Sequence, residues 1–381
     1  MKRIALVGVV AVYVIICIFL IYIMTDKEAV ICYAEEYSDT DDIDSYDYKD
    51  IDKTVKEETG IDISYSKIMK ALINNREDYD YIRNISSYIS GVLYSEKNDI
   101  SQVLCLCILS ALINVLTPFF NEKQLKDTAA GVISAALITI LLSVFMGTFY
   151  IAQNTVTALI NIYKAISMVF FPAVCASGAP ASAVGYYQIV IWMIMAADIC
   201  IKHILMNADR VYVCISLCDC IDSESHFSRL SGCIQKAIKW CGYSMLTIFM
   251  GLNGIKSIVS PVKDNINTSY VYKAVSVIPG IGDAASILSQ TIIASSALIK
   301  NTMGAAAVIV LVICMLFPLA KLIVISCIYQ GISAIMEPIA DKRIIKAVSS
   351  LGTAVSSLTY LIVISSVLFI LTIVIICIAT S

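Results

Sequence analysis

The stretch VSSLTYLIVISSVLFILTIVIICIA, residues 355–379, decides the fold class. It is the clearest apolar run in the chain, and at 1.5 Å per residue it is long enough as a helix to cross a bilayer core of about 30 Å. The whole chain agrees with it. Of 381 residues, 59% are hydrophobic and only 15% charged, where an ordinary soluble domain runs at roughly 45–50% and about 25%. A mean hydropathy of +0.82 points the same way. This composition cannot supply the polar skin of a water-soluble globular enzyme, which is therefore excluded. The expected fold is all-α: a polytopic helical membrane protein.

Working back from that run, residues 340–346 carry Lys342, Arg343 and Lys346 and are predicted to lie in the cytoplasm. Residues 303–328 form a span interrupted by Pro318 and Lys321. Before them, 260–301 is weakly apolar and broken by Pro261, Pro279, Gly280 and Gly282. A re-entrant or interfacial 276–299 keeps the following basic cluster inside, and is preferred for that reason. Residues 240–259 and 188–201 are further spans, separated by 202–239, whose Lys202, Arg210, Arg229, Lys236 and Lys239 argue for the cytoplasm. Residues 154–187 form a second broken stretch, with Pro172, Gly178, Pro180 and Gly185. The spans 128–151 and 103–120 precede it, joined by the polar loop 121–127. Gly131 and Ala135 give the first of these a small-residue face that lets helices approach closely.

Residues 1–34 open with Lys2 and Arg3 before an apolar run from Ile4 to Met24, a signal peptide with small residues before Glu35 or an uncleaved N-terminal anchor. Residues 35–99 then form an acidic extracytoplasmic segment. Residues 35–100 hold 8 basic and 17 acidic side chains, a net of −9, against +5 for residues 101–381. That balance argues against nucleic acid as a partner. Its most acidic part, 35–52, cannot bury enough apolar surface to order itself and reads as a flexible tether. From 61 to 95 the apolar spacing suggests a short amphipathic helical pair. The membrane domain proper is 100–381.

Candidate chemistry is sparse. Cys214, Cys218, Cys220, His226 and Cys233 lack the paired knuckles of a structural zinc site and read as packing. Tyr163-Lys164-Ala165-Ile166-Ser167 and Tyr272-Lys273-Ala274-Val275-Ser276 resemble each other, each near a proline, and Lys346-Ala347-Val348-Ser349 repeats the core at a different interval. Paired broken segments point to discontinuous transporter helices, but such strings arise easily in this composition. Gly280-Ile281-Gly282-Asp283 matches the GxGD of intramembrane aspartyl proteases, with Asp198 as the available second carboxylate. The tyrosine expected before that partner is replaced by Ala197, and an Asp capping a helix that starts at Ala284 accounts for the turn more simply. Lys164, Lys256, Lys300 and Lys321 are expected to snorkel, with Glu337 as a partner for Lys321. There is no GxxxxGK[ST] loop, so the chain does not energise transport itself. No cofactor or metal is expected. The candidate kinks and intramembrane polar positions are Pro172, Pro279, Gly280, Gly282, Asp283, Pro318, Lys321 and Glu337.

Four strings in the last third carry a family resemblance: 277–284 (VIPGIGDA), 299–304 (IKNTMG), 316–322 (LFPLAKL) and 337–343 (EPIADKR). In order and spacing the chain resembles the stage III sporulation protein AE family of endospore-forming bacteria. The resemblance implies a non-enzymatic, permease-like subunit of the channel complex joining mother cell and forespore. It implies a place in the mother-cell membrane around the forespore, in contact with lipid. The implied partners are other sporulation-operon membrane proteins, ring-forming proteins and a separate ATPase. The intramembrane aspartyl protease using Asp198 and Asp283 is the alternative. The resemblance supplies no catalytic residues.

Overall fold

The computed structural model describes residues 47–61, 64–73, 91–92, 94, 96–116, 123–176, 188, 192–193, 195–221, 227–251 and 282–379. All the elements among them are helices. The signal or anchor region, most of the acidic run, Pro279 and Gly280 lie outside the described residues.

The acidic run was expected to stay a tether throughout, but its last residues open helix α1, Lys49–Thr59. Ile51 and Val55, four apart, are buried on one face, which supplies the apolar surface that the charges alone lack. Asp50 and Asp52 occupy the first turn and Lys56 the last, the arrangement that suits the helix dipole. Gly60 closes the helix in the left-handed region at φ 71°, donating its N–H to Lys56 O. The carboxylate of Asp52 then accepts the Tyr65 N–H at 2.7 Å, tying α1 to α2, Tyr65–Ile73. Tyr65, Ile68 and Met69 of α2 are buried. The pair thus joins one apolar core with the long helices.

Helix α3 is Lys97–Leu116. Helix α4, Lys123–Ala176, overturns the expected break at 154. Its 54 residues run unbroken for roughly 81 Å. The polar residues do not interrupt it because their side chains are satisfied close at hand. Thr155 and Thr157 donate to Ile151 O and Gln153 O, and Ser167 to Tyr163 O, at 2.7–2.9 Å. Asn161 donates to Glu58 of α1 at 2.7 Å. Ile133, Leu137, Leu141, Phe145, Phe149 and Ala152 line its buried face at the spacing of helix turns. Gly131 and Ala135 instead face outward, and the close helix approach expected there does not occur among the described residues.

The span expected to end at Ile201 continues instead. A π turn, Asp198–Leu205, leads directly into α5, Met206–Ile221, with the Met206 N–H donating to Ile201 O. Helix α6 covers 228–251. Helix α7, Gly282–Met336, absorbs the part of the second broken stretch that is described, so 282–299 is neither a separate nor a re-entrant segment but the first turns of a 55-residue helix. A turn at 337–341 returns the chain into α8, Lys342–Ala379.

Among the described residues, three stretches are long and apolar enough to cross a membrane: Gly131–Cys175, Ile299–Met336 and Lys342–Val374. Their enclosure differs. In the most apolar window 39% of α4 is buried and 83% of α8. Helix α8 is therefore the central rod, packed by α7, α4 and α5. Tyr163 of α4 stacks on Phe369 of α8 at 4.5 Å and 20°, a contact of about 0.5–1.5 kcal/mol beyond its buried area.

Candidate functional site

A helix buried on nearly all sides should be apolar all round, yet α8 carries Ser350, Thr353, Ser356, Ser357, Thr359, Ser365, Ser366 and Thr372. Several close on their own helix: Thr359 donates to Val355 O and Thr372 to Leu368 O. Ser350 and Ser356 meet partners across two seams.

The first seam lies between α5 and α8. Asp209, Tyr212, Ser216 and Asp219 occupy one face of α5 at intervals of three and four. Lys346, Ser350, Thr353 and Ser357 do so on α8, in the opposite order. Antiparallel packing brings them into register over roughly 15 Å. At one end Lys346 Nζ donates to Asp219 Oδ2, and the Phe227 N–H donates to Asp219 Oδ1 at 2.8 Å. Next, Ser216 Oγ donates to Ser350 Oγ at 2.6 Å. The Tyr212 hydroxyl sits among Ser216, Ser350 and Thr353. At the far end Asp209 faces Ser357. Asp209 is 0% exposed, and neither of its oxygens nor Ser357 Oγ has a hydrogen bond.

The second seam joins α7 to α8. Ser326 Oγ donates to Gly352 O at 2.9 Å and lies 2.6 Å from Ser356 Oγ. Gln330 Nε2 donates to both hydroxyls at 3.0–3.1 Å. Gly352 permits this: a Cβ there would lie 2.7 Å from Gln330 Cγ and 3.1 Å from its backbone nitrogen.

The residues singled out from sequence are scattered. Pro318 and Lys321 share α7, and Lys321 pairs with Glu96 at 3.5 Å, with side chains 23% and 15% exposed. Glu337 is not its partner. It is exposed in the turn after α7, about 24 Å further along the axis. Lys164 is exposed, whereas Lys300 does not snorkel: it is fully buried beside Cys377. Pro172 lies inside α4, one turn from its end, and is exposed. Gly282 and Asp283 fall in the first turn of α7, so Asp283 does not precede the helix as a cap would, and its side chain lies outside the described residues. Asp198 is paired with Lys202 on its own turn at 4.0 Å, its side chain 41% exposed. Cys214, Cys218 and Cys233 face outward, and no group of three metal-ligating side chains occurs among the described residues.

On the extracytoplasmic side of the sequence reading, α1 and α2 dock on the long helices. The Tyr65 hydroxyl, fully buried against Tyr48, donates to Met303 O at 2.5 Å. Burial raises its pKa well above the ordinary phenol value, so it is a permanent donor.

Apolar helices of membrane-crossing length, packed around a buried central helix with hydroxyl-lined seams, define a helical membrane protein. Within that class, the chain belongs to the stage III sporulation protein AE family, whose model matches residues 63–380. The stage III sporulation protein AE of Bacillus subtilis (strain 168) is 20% identical over 302 residues, covering 78% of this chain and 75% of that protein. No solved structure matches the chain.

Proposed function

We propose that this protein is a non-enzymatic, permease-like membrane subunit of a sporulation channel complex that joins mother cell and forespore. The family match over 63–380 carries the reading. In this reading the subunit sits, multi-pass, in the mother-cell membrane around the forespore. Its partners are other membrane proteins of the same operon, ring-forming proteins and a separate ATPase that supplies the energy this chain has no loop to harvest.

The packing supports the arrangement. Because Asp219 pairs with Lys346, the corner after α5 and the turn before α8 lie at the same end of the bundle. Phe227, two residues before Arg229, and Lys346, close after Lys342 and Arg343, both bond to Asp219, so a cytoplasmic end here fits the positive-inside bias. The test is affinity purification of the full chain from sporulating cells. Recovery of operon membrane proteins and the ATPase is expected, and a preparation without any of them would refute the complex.

A further inference from the structure

Two acids share one face of α5, ten residues apart, and their surroundings differ. Asp219 has an ammonium and a backbone N–H. Asp209 has neither: it is completely enclosed, both oxygens lack a hydrogen bond, and the Ser357 hydroxyl facing it is also unpartnered.

The other polar groups nearby are committed elsewhere. Arg210, the next residue, holds its guanidinium over the Phe149 ring of α4 at 3.8 Å, its buried Nε without a hydrogen bond. Tyr212 turns to Ser216, Ser350 and Thr353. Lys346 of α8 is claimed by Asp219. Among the described residues, no charged group of α8, α4 or the π turn bears on Asp209.

An ionised carboxylate here would be a buried charge without a counter-charge, a state that protein interiors avoid by neutralising the group. A metal ion fits poorly, since hard cations need several oxygen ligands and the helix carbonyls around the site are engaged in their own ladders. A proton fits. It removes the charge and turns the acceptor-only carboxylate into a donor for Ser357 Oγ.

We propose that Asp209 is an internal proton-binding site of the α5–α8 seam, sharing one proton with Ser357, and that its ionisation loosens that seam. The folded protein then holds a proton that the unfolded chain releases at neutral pH, so stability falls as pH rises. The inference is independent of what passes through the complex.

The experiment uses the full chain purified in lipid nanodiscs. Infrared spectra at neutral pH are expected to show a protonated-carboxyl band that Asp209→Asn abolishes and Asp198→Asn leaves in place. The unfolding midpoint of the wild type should fall as pH rises from about 5 to about 8. Asp209→Asn, neutral and of the same shape, should lose that dependence and match or exceed the wild type at the upper end. Absence of the band in the wild type, a pH dependence that survives Asp209→Asn, or an Asp209→Asn protein too unstable to accumulate would each overturn the proposal.

Discussion

Lys346→Met and Asp219→Asn break the same ion pair, and the structure requires them to do so at different cost. Asp219 is 0% exposed at its side chain, while Lys346 is 34% exposed. Removing the lysine leaves a carboxylate sealed from water with the Phe227 N–H as its remaining donor. Stripping one partner from a buried pair costs about 3–5 kcal/mol, and with water reaching a third of Lys346 the lower end applies, about 3 kcal/mol. Asp219→Asn leaves no charge in the interior. It keeps an oxygen for the Phe227 N–H and frees the ammonium toward solvent, so the loss is one charge-assisted hydrogen bond, about 1.5–2 kcal/mol. The double variant should cost little more than Asp219→Asn alone, because methionine then faces a neutral amide. Stability is read by SDS titration in mixed micelles, followed by circular dichroism. A Lys346→Met protein as stable as the wild type, or an Asp219→Asn protein less stable than Lys346→Met, would show that the carboxylate is not enclosed as described.

Two glycines that look alike in sequence should respond oppositely to alanine. Gly131→Ala, with nothing within 4 Å of the new Cβ, should gain up to about 1 kcal/mol from helix propensity in the same titration. Gly352→Ala should instead lose about 1–3 kcal/mol as α7 is pushed away; a neutral or stabilising Gly352→Ala would refute the close contact. Tyr65→Phe removes the bond to Met303 O and should weaken the docking of α1 and α2 by about 1 kcal/mol. Limited proteolysis would then cut faster at Lys49–Lys70 while the long helices keep their stability, and an unchanged cleavage rate would refute the anchoring role.

The apolar run at 355–379 was legible because a continuous hydrophobic stretch has few structural solutions. The length of α4 was not. Thr155 and Thr157 look like a break in a hydropathy trace, but bonds to their own helix backbone satisfy them. The polar seam escaped for a related reason. The basic residues of 202–239 were read for their side of the membrane alone, although the three- and four-residue spacing of Asp209, Tyr212, Ser216 and Asp219 was the available helical signal. Glu96 could not be found as the partner of Lys321 from separation along the chain, because that pairing depends on α3 lying against α7. The alternative protease dyad gains nothing from Asp198, whose neighbour is Lys202.

The length of α4 also limits how much of it lipid can cover. A helix of roughly 81 Å exceeds a hydrocarbon layer of about 30 Å more than twofold, so a large part of an apolar rod stands clear of the acyl chains at any ordinary tilt. Something other than lipid must keep water from that surface. The small pair α1 and α2 is placed to do so: Glu58 reaches Asn161 of α4 and Tyr65 reaches Met303 of α7. It presents apolar residues inward and charged residues outward. In this arrangement the pair works as a collar, extending the dry zone along the rods where the bilayer stops.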